Sequence, residues 1–416
     1  MKGLPTPLKL GLLATLYLSQ GLPFGFFVQA MPPILREQGF SLSAIALTAL
    51  LALPWALKFL WSPIVDRIGS RRFGRRKAWI VPLQLSAALL LLLIGQLAPE
   101  NQLHWILVAV FFTNLIASTQ DIATDALAVK LLDHDERGKG NGVQVAGYRV
   151  GMIIGGGFLL VLLGSIGWRL TFVVAALILL AATVPLVLTR EGFSEEEHRI
   201  ARETPILGLD AFREFFERKG ALGWLVLLFS FKFGEHMATT MLRPLFVDLG
   251  HSLESIGWII GIGGFTAGLV GALAGGWLVN QLGRHRALLA FGVFQAVTVT
   301  TYLLPTFGHH STPLLWALVV LEHVASGTAT VALFTLMMDR CRIETAARDY
   351  SLQASLVVIA TLLAAVSSGF IADWLGYRML FVLSGLVCTG SVIAARIVLT
   401  RETTCRSTIA PSTQEV

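Results

Sequence analysis

The sequence predicts an all-α polytopic membrane protein whose twelve transmembrane helices form two six-helix bundles. Three observations lead to this fold class: long apolar runs recur along the chain, lysine and arginine are concentrated in alternate loops, and short motifs recur at a nearly constant spacing. Of the 416 residues, 55% are hydrophobic and only 14% are charged, whereas soluble domains have about 25% charged residues. The composition therefore excludes an ordinary soluble protein.

The apolar runs are about 20 residues long, which is the length a helix needs to cross the bilayer core. They are continuous rather than alternating, which excludes a β-barrel and leaves helices as the spanning elements. No small-residue cleavage site follows the first run, so we expect an uncleaved first helix rather than a signal peptide. The predicted spans are 8–30, 43–64, 78–97, 104–130, 142–164, 169–189, 221–247, 253–279, 287–306, 314–338, 351–372 and 378–399.

The distribution of basic residues predicts the topology. Loops on one side of the membrane hold 25 of the 32 lysine and arginine residues, the opposite side holds four, and three lie within spans. By the positive-inside rule, both termini are therefore expected in the cytoplasm. The net charge of +6 reflects this bias. The basic residues are not interleaved with aromatic residues, so we expect no nucleic-acid partner. The three scattered cysteines indicate neither a disulfide framework nor a zinc site.

An internal repeat predicts two similar halves. GFSLSAI at 39–45 recurs as GHSLESI at 250–256, RRKA at 75–78 as RHRA at 284–287, and GWRLTFV at 167–173 as GYRMLFV at 376–382. The spacing is 209 to 211 residues, and six spans per unit make the repeats parallel. We predict a six-helix bundle at 1–189, a cytoplasmic linker at 190–220, a second bundle at 221–400 and a cytoplasmic tail at 401–416.

The predicted linker contains DAFREFFERKG, in which Phe212, Phe215 and Phe216 fall on one helical face. This pattern is typical of an amphipathic helix lying on the membrane surface. A simple connection between two domains is an equally good interpretation.

Parallel six-helix repeats are the arrangement of the major facilitator superfamily, in which substrate binds between the halves near the membrane midplane. The loop SPIVDRIGSRRFGRRK after span 2 resembles the loop signature of this superfamily. The resemblance implies that its charges latch helix ends and help to set the outward–inward equilibrium. The residues to which it assigns this gating role are Asp66, Arg67, Arg75 and Arg76.

Three strings in the first half resemble a narrower branch, that of AmpG-like muropeptide permeases and acetyl-coenzyme A transporters. They are SQGLPFGF, KFLWSPIVDR and STQDIATDA, the last followed by ERGKGNGVQVAGYRVGMIIGGG. The branch implies proton-driven solute import across a bacterial inner membrane. It includes single-component siderophore permeases of the pyochelin and rhizobactin type, which this chain resembles in length. Muropeptide permeases commonly carry extra C-terminal helices, whereas this sequence ends soon after span 12. The expected substrate is therefore a ferric siderophore, with an anhydro-muropeptide as the alternative.

Two carboxylates inside span 4 are the first candidates for proton coupling. Asp121 and Asp125 share one helical face, where like charges disfavour joint ionisation. Charged groups in the bilayer usually face the bundle interior and have a function there. Lys58 and Arg149 could pair with them, and a static ion-pair network is an equally good interpretation. Asp121 lies farther from the cytoplasmic end, which favours coupling for Asp121 and a structural role for Asp125.

The second half carries further charged residues within spans. Lys232, Glu235 and His236 lie within one turn of span 7, and Lys232 can neutralise Glu235 at i,i+3. Glu322 and His323 form an acid–histidine pair in span 10 that could relay protons. A metal site built from both pairs is a minor alternative, because no metal-binding spacing is present. We expect no bound metal.

SQGLPFGFFVQA in span 1 contains a Gly-Pro break of the kind that lines binding cavities. The predicted substrate contacts are Gln20, Phe24 and Gln29, together with Tyr148 in span 5; lipid-facing phenylalanines and a packing kink are the alternative. The glycine series at 151, 155 and 156 and at 264, 268, 271 and 275 predicts close helix packing.

Composition and motifs together favour a secondary transporter that alternates between two accessible states. A membrane sensor would need a soluble signalling domain, and an enzyme would need a nucleophile–base or metal constellation of recognisable spacing; we find neither pattern in the sequence. No GxxxxGK[ST] motif indicates ATP as the energy source. We expect no cofactor, and the expected partners are a small solute, protons and the lipid bilayer, with a monomeric chain.

Overall fold

The structure is a computed structural model that describes residues 4–27, 31, 35, 48–70, 72–192, 194–196, 199, 203, 212–218, 220–251 and 253–409. These residues are mostly helical and contain no strand beyond one isolated bridge between Ser70 and Gly74. The apolar runs form helices because a helix satisfies every backbone polar group within its own segment.

The helices of the first half follow the predicted spans. They are α1 at Thr6–Gly25, α2 at Leu53–Leu57, α3 at Ser62–Arg67, α4 at Lys77–Ile94, α5 at Pro99–Leu131, α6 at Arg137–Ile153 and α7 at Leu159–Leu188. Short 3₁₀ segments flank α2 at Thr48–Ala52 and Lys58–Leu60, and a π-helical segment at Ile154–Phe158 joins α6 to α7.

The second half begins with the short helix α8 at Arg213–Phe216. It continues with α9 at Ala221–Thr240, α10 at Leu242–Asp248, α11 at Leu253–Ile256, α12 at Phe265–Leu282, α13 at Arg284–Thr301, α14 at Leu303–Thr306, α15 at Thr312–Asp339 and α16 at Ala346–Ile409. A π-helical segment at Gly257–Gly264 leads from α11 into α12.

Seven helices in the described part of the chain are long and apolar enough to cross a membrane. Two of them, His134–Leu188 and Ala346–Thr400, each contain two predicted spans. The chain turns within them at Gly167 and Gly376, where φ is 78° and 79°, in the left-handed region that glycine adopts without strain. With α1, α9 and the helices between residues 48 and 67, these helices account for the twelve predicted spans.

Glycines bring neighbouring helices into backbone contact, as the sequence predicts. A Cβ atom added at Gly155 would overlap the carbonyl oxygen of Leu22 in α1, and one added at Gly271 would overlap that of Val324 in α15. Close backbone approach of this kind holds helices together in membranes, where hydrophobicity alone does not.

The chain divides into two compact units. The first unit comprises Met1–Phe212 and Met337–Ser355, and the second comprises Arg213–Leu336 and Leu356–Val416. The apolar core of the first unit includes Leu22, Phe26, Leu91, Ile106, Phe172 and Leu179, and that of the second includes Leu242, Phe246, Val299, Tyr302, Leu315 and Phe381. The first unit thus contains a segment from the second half of the sequence, residues 337–355.

Of the predicted amphipathic helix at 210–220, the structure describes residues 212–218 and 220. These residues include α8, in which Phe215 is buried and Phe216 is 45% exposed. Phe212, just before α8, is buried as well. The Phe212 ring contacts that of Phe59, with centroids 6.0 Å apart. Two of the three phenylalanines therefore pack within the protein, and only Phe216 is available to a membrane surface.

Candidate functional site

The two carboxylates of α5 share one lysine. The ammonium group of Lys58 forms a hydrogen-bonded ion pair with Asp121, and its Nζ lies 3.6 Å from Oδ2 of Asp125. All three residues are buried, with 2%, 7% and 1% of their surface exposed. The 3₁₀ turn that follows α2 places Lys58 opposite α5. The structure therefore contains the Lys58 part of the predicted pairing, and two acidic groups compete for this buried cation.

Asp125 has two further polar neighbours that the sequence analysis missed. The hydroxyl of Tyr17 donates to its Oδ1 over 2.8 Å, and Nε2 of Gln144 donates to the same oxygen over 3.3 Å. Gln144 Nε2 also lies 3.5 Å from the hydroxyl of Tyr350. Tyr17 could have been suggested by its position three residues before Gln20 in α1, because residues i and i+3 of a helix face the same side.

Three aromatic rings lie beside this ion-pair cluster and form what we call the aromatic group: Phe24, Trp55 and Tyr148. Their centroids are 5.6 Å apart for Phe24 and Trp55, 5.8 Å for Phe24 and Tyr148, and 6.4 Å for Trp55 and Tyr148. Lys58 Nζ lies 5.9 Å from the Trp55 ring, and Trp55 Nε1 donates to Asn114 over 3.0 Å. The predicted contacts Phe24 and Tyr148 are thus brought together by a tryptophan that the sequence analysis did not single out.

Gln20 is the polar residue of α1 nearest in sequence to this group. It lies one turn before Phe24, is 1% exposed, and neither amide atom has a hydrogen-bond partner among the residues that the structure describes. An unsatisfied buried amide is costly, so it is a natural place for a ligand or water. Arg149 is half-buried beside Tyr148. The predicted contact Gln29 lies outside the described residues.

In the second unit, α9 and α15 bring polar groups together. Lys232 Nζ lies 2.5 Å from Glu235 Oε2, which confirms the predicted i,i+3 pairing. Ser326 donates to Glu235 Oε1 over 2.9 Å, and Lys232 donates to Thr330 over 3.1 Å. This ion pair is buried and hydrogen-bonded on both sides, the arrangement that makes a buried charge tolerable.

The acid–histidine pair of α15 is also formed. Nδ1 of His323 lies 2.9 Å from Oε2 of the fully buried Glu322, and the Tyr302 hydroxyl donates to the same oxygen over 3.4 Å. His236 is half-buried and interacts electrostatically with Glu235 and Glu322. Within the described ranges, no group of three histidine, cysteine or acidic residues is placed to hold a metal ion. The geometry thus places two acid-containing pairs, Lys232–Glu235 and Glu322–His323, on α9 and α15.

The loop after α3 forms a charged cluster around Asp66. The carboxylate of Asp66 accepts from Arg76 over 2.6 Å, and Arg75 Nε donates to its backbone oxygen over 2.6 Å. The Asp66 carboxylate also accepts from the backbone N–H groups of Ala347 and Arg348 over 3.2 and 2.8 Å. These are the unpaired N–H groups at the beginning of α16, where the helix dipole favours an anion. Asp66 therefore holds residues 337–355 within the first unit.

Other groups reinforce this attachment. Arg75 donates to the backbone oxygen of Glu344 over 3.0 Å. Glu191 accepts from the backbone N–H groups of Arg76 and Lys77 over 2.9 and 2.8 Å, at the beginning of α4. Arg67 ends α3 half-buried and, as far as the described chain goes, lies outside this network. Three of the four predicted gating residues, Asp66, Arg75 and Arg76, thus belong to one hydrogen-bonded cluster.

Two adjacent residues at the beginning of α6 make further long-range pairs. Glu136 accepts from Lys9 over 2.6 Å and from Thr6, and Arg137 pairs with Asp339 over 2.8 Å. Burial acts to raise the pKa of Glu136, but the hydrogen bonds from Lys9 and Thr6 outweigh it, so this pKa lies below its ordinary value. The Arg137–Asp339 pair is a second attachment of residues 337–355.

Comparison with known proteins identifies relatives over nearly the whole chain. The family model of the Major Facilitator Superfamily matches residues 13–341 and 231–415. A Haemophilus influenzae protein without an assigned function is 31% identical over 378 residues, covering 87% of this chain and 88% of the relative. The anhydromuropeptide permease of Escherichia coli is 27% identical over 375 residues, covering 90% and 76%. The crystal structure of the E. coli fucose:proton symporter is 14% identical, with a TM-score of 0.72 and coverage of 94% and 98%.

Proposed function

Because the chain belongs to the Major Facilitator Superfamily, we propose that it is a proton-coupled importer of a muropeptide-type solute. It is a multi-pass membrane transporter of the superfamily type, and the energy source and substrate are the proposed parts. We place it in a bacterial inner membrane with both termini in the cytoplasm, and we propose that it acts as a monomer without a cofactor.

The observation that carries the proton coupling is the cluster of Lys58 with Asp121 and Asp125. Two buried carboxylates beside one cation leave one negative charge uncompensated when both are ionised, so a proton can bind there at low cost. Asp121 is the more exposed of the two, with 11% of its side-chain surface accessible against 2% for Asp125. We therefore assign the first contact with the proton to Asp121.

The aromatic group and Gln20 support the substrate class. Aromatic rings beside an amide and an ion pair suit a solute that carries both ring faces and polar groups, which a sugar–peptide conjugate provides. The ferric siderophore expected from the sequence has no support among the relatives described above. The muropeptide alternative therefore takes first place, because a relative covering 90% of the chain is named an anhydromuropeptide permease.

The second unit supplies two further polar pairs, Lys232–Glu235 and Glu322–His323. We propose that these pairs bind charged groups of the solute or pass protons, as their side chains hold both signs of charge within the membrane. For the Asp66 cluster we propose a gating role: attachment of residues 337–355 favours one of the two alternating states, and their release favours the other.

Uptake into energised right-side-out membrane vesicles tests the proposal. Labelled anhydro-muropeptide and labelled ferric siderophores are compared, with and without a protonophore. We expect protonophore-sensitive accumulation of the muropeptide, and we expect Asp121→Asn to abolish accumulation while solute exchange across the membrane persists. The exposed Asp135→Asn is the matched control. Undiminished accumulation by Asp121→Asn would remove the coupling role, and siderophore uptake alone would restore the first expectation.

A further inference from the structure

Asp125 is joined to residues 337–355 through the side chain of Gln144 on α6. Its Nε2 lies 3.3 Å from Oδ1 of Asp125 and 3.5 Å from the hydroxyl of Tyr350. Tyr350 is buried and lies near the beginning of α16, two residues after Arg348, whose N–H group Asp66 binds. One amide nitrogen therefore contacts both a carboxylate of the ion-pair cluster and the segment whose release we propose as gating.

The amide of Gln144 is incompletely satisfied. The side chain is buried, and its Oε1 has no hydrogen-bond partner in the part of the chain that the structure describes. An amide donates from its nitrogen and accepts at its oxygen, so its neighbours decide which end faces them. An ionised Asp125 can only accept and therefore matches the nitrogen. A protonated Asp125 has a proton to donate and matches the oxygen.

A proton on Oδ1 of Asp125 changes the group that the Gln144 amide meets. Oδ2 faces the ammonium of Lys58 at 3.6 Å, Lys58 also binds Asp121, and the Asp121 carboxylate itself faces Asp125. Oδ1 receives the hydroxyl of Tyr17 at 2.8 Å and the amide of Gln144. A hydroxyl turns freely about its C–O bond, whereas Gln144 can become an acceptor only by rotating its amide by half a turn.

We propose that Gln144 transmits the protonation state of Asp125 to Tyr350 by rotating its amide. This inference rests on the proposed role of the aspartate pair in proton coupling. The proton comes from solvent through the cluster and remains on Oδ1, and no covalent bond between heavy atoms changes. After the rotation, Oε1 accepts from both Asp125 and Tyr350, so the previously unpaired acceptor gains two donors. Tyr350 changes from acceptor to donor.

The consequence is a coupling between proton occupancy and the gating segment. With Asp125 ionised, Tyr350 is held by a long contact of 3.5 Å to a nitrogen that Asp125 also shares. With Asp125 protonated, the Tyr350 hydroxyl donates to Oε1 of Gln144, which accepts from Asp125 as well and has no hydrogen-bond partner in the described chain before the rotation. Protonation therefore strengthens the attachment of residues 337–355 to the rest of the first unit, and deprotonation weakens it.

A distance measurement without substrate tests this coupling. Spin labels are placed on Asp135→Cys, which is fully exposed, and on Ile343→Cys within the gating segment, with the native cysteines replaced by alanine. Pulsed EPR of the full chain in lipid nanodiscs then gives the distance distribution at mildly acidic and mildly alkaline pH. We expect the attached population, with the shorter distance, to increase as the pH falls.

Three variants locate the effect. Gln144→Leu and Tyr350→Phe should give a distribution that no longer changes with pH, and the second keeps the buried ring if the first fails to fold. Gln84→Leu is the matched control, because Gln84 is a buried glutamine of the same unit that donates to Ser19 over 2.8 Å. It should keep the full pH response.

A full pH response in Gln144→Leu or Tyr350→Phe would overturn the proposal, as would a pH-independent distribution in the parent chain. The muropeptide uptake assay is separate from this measurement. Absence of muropeptide uptake together with an intact, Gln144-dependent pH response would refute the substrate and leave the coupling standing.

Discussion

Replacing Lys58 with methionine removes the cation that two buried carboxylates share, while keeping a side chain of similar length. Removing one partner of a buried ion pair costs about 3–5 kcal/mol, because the remaining charge stays uncompensated. Asp121 or Asp125 can avoid this penalty only by taking up a proton. For a carboxyl with an ordinary pKa of about 3.9, protonation at pH 7 costs about 4 kcal/mol. The cost of leaving the charge uncompensated and the cost of protonating it are similar. We therefore expect Lys58→Met to lose about 4 kcal/mol of unfolding free energy at neutral pH.

The pH dependence distinguishes this reasoning from a simple packing defect. Each unit of acidification reduces the cost of protonating one carboxyl by about 1.4 kcal/mol. The stability deficit of Lys58→Met should therefore be largest at neutral and alkaline pH and should shrink by about 2.7 kcal/mol when the pH falls by about two units. A packing defect would produce the same deficit at every pH.

Unfolding of purified protein in detergent, followed by tryptophan fluorescence at several pH values, measures this effect. The exposed Lys139→Met is the matched control and should stay within about 0.5 kcal/mol of the parent chain. Lys58→Met combined with Asp121→Asn should recover much of the lost stability, because one uncompensated charge is gone. A deficit that does not change with pH, or one no larger than that of Lys139→Met, would refute the reasoning.

Three further outcomes are expected. The pKa of Glu136 is lower in the folded protein than in the unfolded chain. Its pair with Lys9 therefore stabilises the fold at pH values above the unfolded pKa, and this stabilisation disappears as the pH falls through the lower folded pKa. Thermal melts should therefore show Glu136→Gln less stable than the parent by no more than about 1 kcal/mol at neutral pH, and equal to it in strong acid. Asp66→Asn, compared with the exposed Asp135→Asn, should release residues 337–355 and speed maleimide labelling of the cysteine within them; an unchanged rate would contradict the attachment. Gly155→Ala should lose about 1–3 kcal/mol of stability by separating two helices, whereas Gly157→Ala, with open space around its Cβ position, should be neutral in the same melts.

The spans and the repeat could be predicted from sequence because length and hydropathy alone decide whether a segment crosses a bilayer. The repeat also marked the turning points: Gly167 and Gly376 begin the matched strings GWRLTFV and GYRMLFV, and both have positive φ. The charged residues of the site stood out for the same reason, since an ionisable group in a span is too costly to be incidental.

The partners of those charges could not be predicted in the same way. Trp55 and Gln144 are ordinary helix residues, and nothing in their spacing separates a site residue from a packing residue. For Tyr17 the sequence offers only its position three residues before Gln20. The attachment of Asp66 to Ala347 spans 281 residues of sequence, and no local pattern encodes a contact of that range. The loop signature singled out Asp66, but not the backbone N–H groups at the beginning of another helix that donate to it.

The membership of residues 337–355 in the first unit has a consequence for how the protein is made. During synthesis, Asp66 and Arg137 are inserted long before the segment that satisfies them emerges from the ribosome. The charged cluster of the first unit therefore remains incomplete while about 200 further residues, from Arg137 to Met337, are inserted into the membrane. A chain truncated before residue 337 would lack the backbone N–H groups of Ala347 and Arg348 that bind Asp66 in the finished protein.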